Sequence, residues 1–195
     1  MDKLHVKYSV DILDELTPTL RAIVSNFRSS VPDINGKIRT PEEEIIHQEK
    51  FCSDSDIKLW ILVFEKNMLI GTTAVYARSI KYNGRNILLG GIGKVRVKQE
   101  NRGEGIASAM MEAAMDQMKK LKCDIAFLDT NIDSFLGEFY KKYGFVPLHR
   151  PYTFLGKSRK RYSDTDGMIA QITSKALFTE ILADSNPFDI GFGNW

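Results

Sequence analysis

A chain of 195 residues suits one domain with a single substantial core, and its 43% hydrophobic and 27% charged content is ordinary for a globular protein. A net charge of +2 argues neither for nucleic acid nor for an acidic target, although local patches remain open, and no nucleic-acid partner is expected. No apolar run is long enough to span a bilayer, the Met1-Asp2-Lys3-Leu4-His5 start lacks a signal-peptide core, and Cys52 and Cys123 form no CxxC or Cys/His cluster, so a reduced, cytoplasmic protein with no membrane partner and no metal is expected.

Leu4, Val6 and Tyr8 share one face of a period-two stretch, which predicts a first strand. Leu13, Leu16, Leu20, Ile23, Val24 and Phe27 recur at three- and four-residue intervals, predicting an amphipathic helix that closes before Ser29-Ser30-Val31-Pro32. A loop over 33–39 leads to Thr40-Pro41-Glu42-Glu43-Glu44, where Thr40 suits an N-cap and Pro41 the first helical position. Residues 57–64 and 69–80 read as strands joined by Lys66-Asn67, and Asn83-Gly84 turns the chain into a strand over 87–97. Gly90, Gly91 and Gly93 within it signal a bulge or a close approach. Ile106, Met110, Ala113, Ala114, Met118 and Leu121 trace a helix; 125–128 is a buried strand, 135–143 a helix, Phe145-Val146 a strand start and 168–172 a short strand. The order β-α-α-β-β-β-α-β-α-β-β predicts an α/β chain with a mixed sheet and helices on its faces, in one domain over 1–195.

The glycine-rich turn after the 87–97 strand is the main candidate for chemistry. A dinucleotide fingerprint fails, because Gly91 and Gly93 are followed by Arg96, and a P-loop fails, because Gly93-Lys94 has Leu88 before it and Val95 after. What remains is Arg102-x-x-Gly105-x-Ala107 between the Val95-Arg96-Val97 strand and a helix. Small residues there let a phosphate reach backbone amides at the positive end of the helix dipole, and Arg102 adds charge. Beside a bulge, strand groups at Val95 and Val97 without a strand partner could pair with an extended amide-bearing molecule.

The stretch from Val95 to Ala107 resembles the acetyl-CoA-binding signature of the GNAT acyltransferase superfamily. Phe139-Tyr140-Lys141-Lys142-Tyr143-Gly144-Phe145 resembles that superfamily's second signature, one strand and one helix later. The resemblance implies a GNAT fold, its mixed sheet splayed between the 87–97 and 125–128 strands. It implies acetyl-CoA as cofactor, with Arg102, Gly103, Glu104, Gly105, Ile106 and Ala107 around the pyrophosphate, Ser108 adding a hydroxyl, and Val95, Arg96 and Val97 along pantetheine. It also implies direct N-acetyl transfer to an amine, with Tyr140 as general acid toward the departing thiolate. A phenol of ordinary pKa near about 10 is protonated at neutral pH; the plain alternative is that Tyr140 only packs on Phe139 and Phe145. For the base, Glu42, Glu43, Glu44, His47 and Asp129 all remain open, as does a water chain to any of them.

Within the superfamily the chain resembles aminoglycoside 2'-N-acetyltransferases in Tyr82-x-Gly84, Arg102-Gly103, Asp164-x-Asp166-Gly167 and a tail ending in Trp195. It departs from them where an acidic residue and Gly would precede the V-x-V strand, here Gly93-Lys94, and where an Asp would stand two before the Trp, here Gly193. The expected acceptor is a small-molecule amine, met by Glu43, Gly93, Lys94 and Trp195, whose carboxylate could serve as an anion. The 174–195 tail is expected over the acceptor side; it could equally cover the sheet edge or a second copy in a homodimer. The basic Lys157, Arg159, Lys160 and Arg161 read as a solvated loop or a contact for the 3'-phosphate of CoA. A CoA-binding module without turnover, and an acyltransferase acting on a protein amine, are the other readings.

Overall fold

The computed structural model describes residues 7–32, 40–51 and 56–195, so the readings at Leu4, Val6, Cys52 and the 33–39 loop lie outside the described residues. Strand β1 (Ser9–Leu13) pairs antiparallel with β2 (Ile57–Glu65), from Ser9 opposite Phe64 to Leu13 opposite Trp60. Leu13, expected in the first helix, is therefore a strand residue. Helix α1 starts only at Pro18 (Pro18–Ser30), because Pro18 lacks an N–H to lose and the Thr17 hydroxyl accepts from Leu20 N at 3.2 Å. It buries Val24 and Phe27. Helix α2 (Pro41–Lys50) opens on Thr40 as the sequence indicates.

Three antiparallel strands follow: β2, β3 (Met68–Tyr82) and β4 (Arg85–Val97), the last two joined by Asn83 and Gly84, both at positive φ. Helix α3 (Ile106–Lys120) crosses to β5 (Ile125–Asp129), which runs parallel to β4. Then come α4 (Phe135–Lys141), β6 (Phe145–Pro147), β7 (Tyr152–Leu155), β8 (Arg161–Asp164), β9 (Gly167–Gln171), α5 (Lys175–Ala183) and β10 (Phe188–Phe192). The main sheet runs β1-β2-β3-β4-β5-β9-β6, and a small sheet runs β10-β7-β8. The mixed sheet agrees with the sequence reading; β7, β8, α5 and β10 are additions to it. Helix α4 also ends at Lys141, earlier than expected, with Gly144 at φ 85° turning the chain into β6.

Each face of the main sheet carries its own apolar core. One gathers Val24 and Phe27 of α1, Leu177 and Ile181 of α5, and Tyr76, Phe127, Tyr152, Phe188 and Trp195. The other gathers Ile106, Met110, Met111 and Met118 of α3 with Tyr140 and Phe145.

Between the cores the sheet comes apart. β4 pairs with β5 only at Leu89, Gly90 and Gly91, opposite Ile125, Ala126 and Phe127, and then continues to Val97 without it. On its other side β4 bulges: Arg96 faces Thr72 and Gly93 faces Ala74, so Lys94 and Val95 together oppose Thr73. Lys94 takes φ 56°, and its carbonyl accepts from Arg28 Nη1 at 2.5 Å and Thr72 Oγ1 at 3.1 Å. Thr73 Oγ1 donates to Gly93 O at 3.1 Å, so side chains from α1 and β3 secure the bulge.

The glycines of β4 answer to close approach. A Cβ on Gly91 would lie 2.0 Å from the Trp195 indole, and one on Gly90 would lie 2.7 Å from Met118 Sδ. The indole donates to Phe127 O at 2.9 Å and stacks on Tyr76 with ring centres 5.4 Å apart. Gly91→Ala should therefore cost about 1–3 kcal/mol, read as a lower urea midpoint with a red-shifted tryptophan emission. An unchanged midpoint and emission would mean that the indole does not press on this strand.

Candidate active site

A cleft of about 1030 Å³ opens where β4 and β5 part. Of the residues expected to grip a cofactor, Val95, Arg96, Val97, Arg102, Gly103, Gly105, Ile106, Ala107 and Ser108 all line it. So do Tyr140 and, from the expected acceptor set, Gly93, Lys94 and Trp195.

The start of α3 is open and uncapped. Gly105 is its N-cap in the left-handed region (φ 81°, ψ 0°), no side chain caps the helix, and its first turn holds no acid. The first-turn amides are thus left to an outside acceptor at the positive end of a 15-residue helix. Gly103 also has a positive φ (86°), and a Cβ at either glycine would meet nothing within 4 Å, so the turn is open above its backbone. Glu104 stands apart from the cleft: it accepts from Asn101 Nδ2 at 3.2 Å and pairs with Lys7 at 3.6 Å.

Tyr140 both packs and faces the cleft. Its ring meets Phe139 and Phe145 edge-on, at 5.2 and 6.1 Å. Only 8% of the residue is exposed, and burial alone pushes the phenol up to about 12. A phenol so placed is protonated across the physiological range and has a proton to give. Tyr143, its neighbour in the motif, packs on Phe139 and does not line the cleft.

Across the cleft lies a carboxylate cluster. Asp129, at the end of β5, is pushed up to about 6, chiefly by burial and then by the charge of Asp164. Hydrogen bonds from Asn194 Nδ2 (2.8 Å) and from Tyr152 pull it the other way. Asp166 is also raised, by burial and by Asp164 and Asp133. Asp164 and Asp166 line the same cleft. Of the other candidates for a base, Glu42 is exposed and Glu43 closes a capping box: Thr40 N donates to its carboxylate at 3.0 Å, and its own N donates to Thr40 Oγ1 at 3.2 Å. Glu43, expected at the acceptor site, does not line the cleft. The Glu44 side chain lies outside the described residues. His47 lines the cleft with its ring on Phe51, at 4.0 Å.

Asp164, Asp166 and Asn194 were not singled out as site residues from sequence. Asp164 ends β8 and Asp166 follows in the short turn before β9, where acids need no functional reason, and Asn194 reaches the site only through the return of the chain after β10. The basic run at 157–161 turns β7 into β8 and is anchored on α2, with Lys157 N on Glu49 O at 3.0 Å and Ser158 Oγ on the Glu49 carboxylate at 2.6 Å. None of its residues lines the cleft. Among the described residues no cluster of metal-ligating side chains occurs, and no helix is long and apolar enough to cross a membrane.

A family model for the acetyltransferase (GNAT) domain matches residues 37–148, more than half of the chain. N-alpha-acetyltransferase 30 of Saccharomyces cerevisiae is 33% identical over 72 residues, 36% of this chain and 41% of that protein. The chain thus matches less than half the length of this curated relative. Among solved structures, YhbS of Escherichia coli, a GNAT family N-acetyltransferase in complex with CoA, superposes with a TM-score of 0.63 at 10% identity, over 98% of this chain and 93% of the other. Escherichia coli ElaA gives 0.57 at 18% identity over 84% and 99%, and the NatC complex bound to Gag peptide and CoA gives 0.57 at 17% over 86% and 100%. At such identities these likenesses speak for the fold. With the family match over the strands and helix that build the cleft, they lead to one assignment: this chain belongs to the GNAT acetyltransferase family.

Proposed function

We propose that the chain is an acetyl-CoA-dependent N-acetyltransferase that acetylates a primary amine of a small cationic molecule directly, without a covalent enzyme intermediate. The observation that carries this reading is the convergence, in one cleft, of an uncapped glycine-led helix start, a buried phenol and a partly buried carboxylate. Acetyl-CoA, when bound, supplies a thioester carbonyl open to attack by an amine. The free amides at 103–107 and the Arg102 guanidinium would hold its pyrophosphate, with Ser108 adding a hydroxyl. Backbone groups at Val95 and Val97 would take pantetheine amides where β5 has left them without a strand partner.

The remaining work is proton traffic. Asp129 takes a proton from the incoming amine as the N–C bond forms, and Tyr140 gives one to sulfur as the C–S bond breaks. The products are an amide and a free thiol; Asp129 then releases its proton to solvent and Tyr140 regains one from it. A carboxylate near 6 is largely ionised at neutral pH yet basic enough to accept, which suits it to this task. Cys123, buried and pushed up to about 11, is a poor nucleophile, which supports direct transfer. Asp164 and Asp166 beside Asp129 favour a cationic acceptor, and the 174–195 segment walls this side through Asn194 and Trp195. A second reading, a peptide α-amine as acceptor, draws on the likeness to N-alpha-acetyltransferase 30.

Thiol release from acetyl-CoA across diamines, polyamines, aminoglycosides and short peptides tests the proposal: turnover with small cationic amines is expected, turnover with peptides alone would favour the second reading, and none with any amine would refute both. Tyr140→Phe should lower kcat by about 100-fold or more while calorimetry finds CoA affinity within about twofold; full turnover would remove Tyr140 from the chemistry. The acid limb of kcat should fall near the Asp129 value of about 6, with activity lost as pH drops through it. That limb should stay in place when acceptors of different amine pKa are compared, and vanish with most of the activity in Asp129→Asn. A limb that follows the acceptor's own pKa would contradict the assignment.

A further inference from the structure

Asn194 lies beyond the segment matched by the family model and is almost fully buried, with 3% of its surface exposed. Its Nδ2 donates to Asp129 Oδ2 at 2.8 Å and to the Tyr152 hydroxyl at 3.0 Å. Its Oδ1 accepts from Trp195 N at 3.0 Å, which fixes which end of the amide faces the carboxylate. The backbone around it is held as firmly. Asn194 N donates to Lys50 O at 2.8 Å and Gly193 N to Leu155 O at 2.7 Å. Arg78, from β3, donates through Nη1 to the carbonyls of Ile190 (3.2 Å), Phe192 and Gly193 (2.9 Å), and its guanidinium lies 4.0 Å over the Trp195 ring.

We infer that Asn194 is a positioning residue for the Asp129 carboxylate and that Arg78 latches it there, so that the 188–195 segment keeps the proton acceptor of the site ionised and aimed. The inference rests on the reading of Asp129 as that acceptor. A partly buried carboxylate holds its charge only against the cost of desolvation. Here Asp164, at the end of β8, and Asp166, from the turn between β8 and β9, add like charge. Tyr152, from β7, and Asn194 are the donors that act against both. Lys94, Arg28 and His47 line the same cleft, and Tyr140 lines it from α4. Without the Asn194 amide, Asp129 keeps its burial and its like-charged neighbours but loses a donor to its charged form. Its proton affinity must rise.

The test uses the full chain carrying Asn194→Leu, which keeps the volume and removes the donor, and Arg78→Lys, which leaves Asn194 in place but loosens its latch. Carbon-13 NMR of the Asp129 carboxyl, assigned by its absence in Asp129→Asn, reads the titration without any need for turnover. In Asn194→Leu the midpoint should rise by about one pH unit, and in Arg78→Lys by a smaller amount, with CoA affinity within about twofold by calorimetry. The acid limb of kcat should move by the same amount as the titration, which a purely structural loss would not produce. An unmoved midpoint in Asn194→Leu would overturn the inference, as would a moved midpoint with an unmoved limb. Should wild type turn over no amine while the midpoint still moves, the activity assigned to the site falls and the Asn194–Asp129 contact stands.

Discussion

The ladder between β4 and β5 ends at Gly91 and Phe127, although β4 runs on to Val97, and the site depends on that interruption. A parallel pair normally continues while both strands last, because each broken rung leaves an amide and a carbonyl to be satisfied elsewhere. Two features hold the break open. The bulge at Lys94 and Val95 turns β4 away, with Arg28 and Thr72 on the Lys94 carbonyl. The Trp195 indole fills the point of divergence, bonded to Phe127 O and lying against the bare backbone of Gly91. The backbone of β4 beyond the fork is left without β5, and the cleft follows.

The two cores give the cleft two different ends. On the α3 and α4 face stand the uncapped start of α3 and a phenol raised by burial alone. On the opposite face, β7, the β8–β9 turn and the segment after β10 gather carboxylates around Asp129. Burial acts on both groups in the direction that disfavours charge, and the results differ in kind. It keeps Tyr140 protonated, and it brings Asp129 to a value from which it can accept. The divergence of one strand pair thus brings a protonated phenol and a carboxylate of raised proton affinity to the lining of a single cleft.

How far the sequence discloses this depends on whether a feature is local. The turn at 102–107 is local: its glycines, its arginine and the helix after it are contiguous, and the resemblance built on them led to the family. Asn83-Gly84 and the Thr40-Pro41 helix start are local too, and their residues alone name the backbone they adopt. The spacing of Leu13 to Leu16 and Leu20 fits a helix, but Thr17 and Pro18 delay the helix start and leave Leu13 in β1. Strands β7 and β8 are short and lie in a polar, proline- and glycine-flanked stretch where alternation is hard to see. Helix α5 has a local signal, Ser174 as N-cap with Leu177 and Ile181 on one face, but only nine residues over which its period can show. Asn194 had none, since its partners, Asp129 and Tyr152, are far away in the chain. Glu43 shows the converse: three acids at a helix start suggested substrate, and the one at the third helical position closes a capping box.

Hydrogen–deuterium exchange along β4, with and without CoA, tests the central claim most directly. The account predicts strong protection at 89–91 in both states, because those residues keep their β5 partners. Over 92–97 it predicts faster exchange in the free protein and slower exchange once CoA is added, together with slowed exchange at 103–107. Equal protection along all of β4 in the free protein, or no change at 92–97 and 103–107 with saturating CoA, would contradict it.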